Sequence, residues 1–108
     1  MQEFIYQNLN SIKILPGMLV LEYSEPDQGG TVLLHRFYIY ENKKVEVKTG
    51  YLHDASLQKK RVSIRDVPQR VLKDALNWIN QQLQCALSEG LQYLLINFRE
   101  IVSEVLVN

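Results

Sequence analysis

One cysteine, Cys85, stands in a chain of 108 residues. That excludes an internal disulfide framework and suits a reducing compartment. Five glycines and three prolines form no phosphate-cradling loop, no dinucleotide fingerprint and no nucleophile elbow. No cysteine–histidine spacing fits zinc, and no cofactor is expected. No apolar run reaches the roughly 20 residues of a membrane span. The start, Met1-Gln2-Glu3, lacks the basic-then-apolar layout of a signal peptide. The chain therefore reads as a cytoplasmic protein without a membrane partner. Internal repeats, low-complexity tracts and linkers are missing too, so residues 1–108 read as a single domain. Net charge is absent as well, the formal balance being zero.

What is present begins with an amphipathic stretch, Asp66 to Gly90. Asp66 is a suitable N-cap, Gln69 completes a capping-box spacing, and Pro68 falls in the first turn. Leu72, Ala75, Leu76, Ile79, Leu83, Ala86 and Leu87 recur at steps of three and four, widened by Val71 and Trp78. Arg70, Lys73, Asp74, Asn77, Asn80, Gln81 and Gln84 fill the opposite face. Gly90 reads as the residue just past the helix end. A stripe this wide needs a large partner, and a sheet is the natural one.

Four strand signals precede it: Met18–Ser24, Thr31–Tyr40, Val45–Leu52 and Arg61–Arg65. The links between them are too short for helical crossovers, so the strands form an antiparallel meander. Residues 2–13 fit a helix face or an edge strand equally. After Gly90, Leu91, Leu94, Leu95, Phe98, Ile101, Val102, Val105 and Leu106 make a second helix over about 91–107. The expected fold is thus α+β: a four-stranded, mostly antiparallel sheet followed by two C-terminal helices packed on one face. Alternation sends Leu19, Leu21, Leu33, Phe37, Ile39, Val62 and Ile64 to the core. The other face then shows Arg36, Tyr38, Tyr40, Lys48, Arg61 and Arg65.

Zero net charge conceals a segregation. Ten bases and four acids lie between Arg36 and Lys73, and the remainder of the chain carries two bases against eight acids. Together with tyrosines on the outer sheet face, this points to a polyanion, with single-stranded nucleic acid or an acidic protein as the expected partner. In arrangement alone, with no motif behind it, strands followed by a helix are similar to Whirly-type single-strand-binding regulators. The resemblance implies strand binding on the sheet.

Two further readings stand beside it. Helix 91–107 is more apolar than one face requires, which points to a homo-oligomer or protein–protein adaptor with Leu91, Leu94, Leu95, Phe98 and Val102 at the interface. The distant alternative rests on Glu46-Val47-Lys48, which resembles the E-x-K element of restriction-type metal-dependent nucleases. That resemblance implies a divalent ion near Glu46, a water-activating Lys48, and a further acid such as Asp27 or Glu41. No polar cluster has catalytic density, so a non-enzymatic binding module is favoured. His53-Asp54 reads as a turn, His35 as a core or boundary histidine, and Cys85 as a small packing residue.

Overall fold

The computed structural model describes residues 8–51, 58–85 and 88–106. Five strands come first: β1 Ser11–Leu15, β2 Met18–Pro26, β3 Val32–Tyr40, β4 Val45–Tyr51 and β5 Lys60–Val62. They lie in chain order in one sheet, each antiparallel to its neighbour. A short 3-10 turn, Ile64–Asp66, leads to helices α1, Gln69–Cys85, and α2, Glu89–Leu106. The chain is therefore the expected α+β meander with two C-terminal helices. It has one strand more than expected, because the ambiguous N-terminal segment supplies β1.

The connections explain the antiparallel order. Leu15 pairs with Met18 across Pro16-Gly17. Gly17 has φ +79°, which suits the third position of a tight turn with proline before it. Between β2 and β3, Asp27 Oδ1 accepts the backbone N–H of both Gly29 and Thr31 at 2.9 Å. The β3–β4 turn carries Lys43 at φ 72°. Its neighbour Lys44 donates its backbone N–H to Asn42 Oδ1 at 2.9 Å.

The pleat divides the sheet into two faces. Leu19, Leu21, Phe37, Ile39, Val45 and Val47 point to one side, where they meet Val71, Leu72, Ala75 and Ile79 of α1 and Leu95, Phe98, Ile101 and Val102 of α2. Leu19, Leu21, Ile39, Leu72, Ile79, Leu95 and Phe98 are among the largest fully buried side chains. Each such side chain contributes on the order of 1.5–3 kcal/mol by leaving water. Both helices therefore finish one core on one sheet face.

Several expectations need correction. Asp66 does not cap α1. It closes a capping box with Ser63 around the 3-10 turn, accepting the Ser63 N–H at 2.9 Å. The fourth strand stops at Val62 for that reason, and Arg65 leaves the sheet. Gly90 does not terminate α1, which ends at Cys85; it lies in the first turn of α2. Ser88 caps that helix, its Oγ accepting the Leu91 N–H at 3.2 Å. Asp74 is buried rather than solvated, because Asn8 donates its backbone N–H to Oδ2 at 2.7 Å. Leu33 is only half-buried, lying across from exposed Tyr51 outside the main core. Ala86, Leu87 and Val107 lie outside the described residues.

Candidate polyanion interface

Register decides which side chains share the outer face. Arg36 stands opposite Glu22 on β2 and Lys48 on β4. Tyr38 stands opposite Val20 and Glu46, and Glu46 opposite Arg61 on β5. Arg36, Tyr38, Tyr40, Lys48 and Arg61 thus lie on one face, as alternation requires. Arg65 does not join them, since its backbone is bound into the Ser63 turn.

Three bases missed by alternation come to the same face. Lys13 lies across from Val20 on β1. Lys44 Nζ lies 5.6 Å from the Tyr40 ring centre, and Lys59 Nζ lies 4.2 Å from that of Tyr38. Lys59 precedes β5 and reaches back over the sheet, which a strand pattern alone does not reveal. Among the described residues the outer face then holds Lys13, Arg36, Lys44, Lys48, Lys59 and Arg61 against Glu22 and Glu46.

Tyr38 departs from the expected stacking platform. It is 9% exposed, and Lys48 Nζ stands 6.0 Å from its ring centre while Lys59 is closer still. Its neighbours Val20 and Leu34 are buried as well. The ammonium groups lie over the aromatic face, where the ring quadrupole attracts them. Tyr40 is half-buried and donates its hydroxyl to Glu46 Oε1 at 2.8 Å.

The electrostatics are those of a cationic surface. The Glu46 carboxyl is held below the usual glutamate range, first by the Tyr40 hydrogen bond and then by Lys44, Lys59 and Arg61. Lys59 is pushed above its ordinary value, chiefly by hydrogen bonding to Tyr40 and with help from Glu46. Arg36 Nε donates to Glu22 Oε2 at 3.0 Å and forms an ion pair with it at 2.9 Å. That pair is only partly buried, so it is worth little to stability. It does keep the guanidinium from full availability.

The remaining candidates fare differently. Leu95, Phe98 and Val102 are fully buried in the core of the single chain. They face inward because α2 packs beside α1 on the sheet. Leu94 is half-buried against the same core. Leu91 stays exposed, and Tyr93 and Ile96 join it at 64% and 38% exposure. Glu46 and Lys48 do share a face. However, Asp27 is engaged in its own loop and Glu41 lies near Asn97 of α2. No three metal-ligating side chains come together among the described residues. Cys85 is exposed at the end of α1 rather than packed. His35 is the boundary histidine expected, with both ring nitrogens engaged by Glu25 and Thr49. His53 and Asp54 lie outside the described residues. No described helix is long and apolar enough to cross a membrane.

The fold and this surface define an α+β meander domain with one helix-covered and one basic sheet face. Comparison with family models, with curated proteins and with solved structures returned no match to this chain.

Proposed function

We propose that this protein is a binding module that holds a polyanion, single-stranded nucleic acid foremost, along the outer face of its sheet. The observation that carries this reading is the register that gathers Arg36, Lys48 and Arg61 beside Lys59, with Glu22 and Glu46 the acids opposing them among the described residues. Burial of Tyr38 under lysines argues for contact with the phosphate backbone rather than with stacked bases. Such binding is tolerant of sequence and strongly dependent on salt.

The test is anisotropy of a labelled single-stranded DNA at two salt concentrations. With about four phosphates contacted, log K falls against log salt with a slope near −3, from about −0.7 per contact. The double variant Lys48→Glu, Arg61→Glu loses the interaction while keeping its circular dichroism spectrum. No binding even at about 50 mM salt, where such contacts are strong, removes the proposal. An acidic protein as partner is separated by competition: a polyglutamate that displaces the DNA as well as unlabelled DNA does points to charge alone.

Self-association through α2 is the second reading. What favours it is the exposure of Leu91, Tyr93 and Ile96 on the helix side of the molecule. Sedimentation over a range of concentrations tests it, with Ile96→Glu expected to leave only monomer. A wild-type monomer at every concentration rejects it.

A further inference from the structure

On the helix side of the sheet, where β4 approaches β5, there is a cleft of about 410 Å³ lined among the described residues by Val47, Thr49, Gln58, Lys59 and Lys60. Val47 forms an apolar floor, and Lys60 stands opposite it in the strand register. The Lys60 ammonium, the Gln58 amide and the Thr49 hydroxyl border a volume suited to a small ligand, while Lys59 contributes backbone and stem, its ammonium lying over Tyr38 on the outer face. We propose that this cleft binds a tetrahedral oxyanion, a phosphate or sulfate group, and that its occupation is coupled to a proton on His35.

The coupling follows from a chain of hydrogen bonds behind the cleft. Thr49 faces His35 directly across β3 and β4. His35 Nε2 lies 2.8 Å from Glu25 Oε1, and Nδ1 lies 3.0 Å from Thr49 Oγ1. An ionised carboxylate only accepts, so Nε2 carries a hydrogen. In the neutral ring Nδ1 must then accept, and the Thr49 O–H is spent on it. The hydroxyl thus offers the cleft lone pairs, which repel an anion. When His35 gains a proton, Nδ1 becomes a donor to Thr49 Oγ1. The Thr49 O–H is released and can turn to an oxyanion. Proton and anion therefore favour each other's binding, and the linkage is reciprocal.

The surroundings of the imidazole fit this role. Its side chain is 13% exposed, and the Glu25 side chain is 45% exposed. From β2, Glu25 faces the ring and Tyr23 stacks on it with centres 4.8 Å apart. From α1, Arg70 lies over the other partner, 5.8 Å from the Tyr23 ring centre. From β4 the facing group is Thr49, which does not titrate; Lys60 lies at the cleft itself, and the Lys59 ammonium is on the far side of the sheet over Tyr38. Among the described residues facing the imidazole, Glu25 is the acid that opposes the anion, and it does so from behind the ring.

Sulfate is the discriminating probe, because it keeps its double charge where phosphate titrates. Calorimetric binding of sulfate at about pH 8 and about pH 6 spans the change in histidine charge. Binding is expected to tighten about tenfold at the lower pH, the scale of one charge-assisted hydrogen bond. Thr49→Val and His35→Gln are both expected to abolish this pH dependence, and Thr49→Ser to retain it. Lys60→Ala, on an exposed edge, weakens binding at both pH values. No saturable sulfate binding, or a pH dependence that survives in both Thr49→Val and His35→Gln, overturns the proposal. Oligonucleotides with and without a 5′-phosphate then separate the sources. Preference for the phosphorylated end identifies a nucleic-acid terminus, and equal binding with displacement of sulfate by inorganic phosphate identifies a free metabolite. Lys48→Glu, which tests the outer face, leaves the sulfate site intact, so the two proposals fail independently.

Discussion

Glu46 is an acid on a basic surface, and its protonation reports that surface. Tyr40 and the nearby lysines hold its carboxyl below the ordinary range. A lowered value means the folded state releases the proton more readily than the unfolded chain. The stabilisation is complete above the ordinary glutamate pKa and disappears as pH falls through the lowered one. In a carbon-detected NMR titration, Glu46 is expected to titrate below free glutamate, and Tyr40→Phe to move it back upward. An unchanged midpoint in that variant assigns the effect to the lysines instead. At this scale the sequence was only partly readable. Alternation put Arg36, Tyr38 and Arg61 on one face, because a strand's period is two. It could not foresee that Lys59 and Lys48 lie over Tyr38, since that depends on side chains from outside the strand bearing the ring. Asp74 was misread for a related cause. Its position on the helix looked polar, but the amide of Asn8, distant in sequence, takes it into the interior.

Elements were more legible than their ends. The meander and both helices follow from hydrophobic periodicity and short connections. The boundaries were decided by caps with rivals nearby. Ser63 and Asp66 close a box at a spacing of three, and that signal competes with a reading of Asp66 as the start of α1. Ser88 followed by Glu89 opens α2, although Gly90 invites a helix end at the same place. β1 carries a related ambiguity: Ile12 and Ile14 alternate over only five residues, too few to separate strand from helix by period. One element carries a local cost that can be relieved. Lys43 occupies the left-handed region at the β3–β4 turn, which disfavours a side chain by about 1 kcal/mol. Its contact to Glu104 is 3.5 Å long between exposed groups, so little is lost on removing it. Lys43→Gly is expected to raise the urea midpoint, with a stability gain of about 0.5–1 kcal/mol and an unchanged m-value. A lower midpoint would mean that the lysine contributes more through Glu104 than the turn costs.

Over the whole molecule, the segregated charge of the sequence becomes a two-sided surface. The outer sheet face gathers bases, while α2 exposes Glu89, Glu100 and Glu104 with Arg99 on the helix side. The molecule measures 44 × 31 × 29 Å. The screening length at about 0.1 M salt is roughly 10 Å, so a charged support senses only the nearest face. The neutral chain is therefore expected to bind both cation and anion exchangers at moderate ionic strength near pH 7, and the Lys48→Glu, Arg61→Glu variant only the anion exchanger. Retention of the wild type on neither resin contradicts the segregation. The shortness of β5, three residues preceded by Lys59 and containing Lys60 and Arg61, has a further consequence. An open sheet margin tempts identical chains to add strand upon strand into fibrils, and lysines on a brief margin repel that approach. These cations are expected to keep concentrated protein from polymerising along this border. Neutralising them is expected to favour amyloid-like growth from this margin.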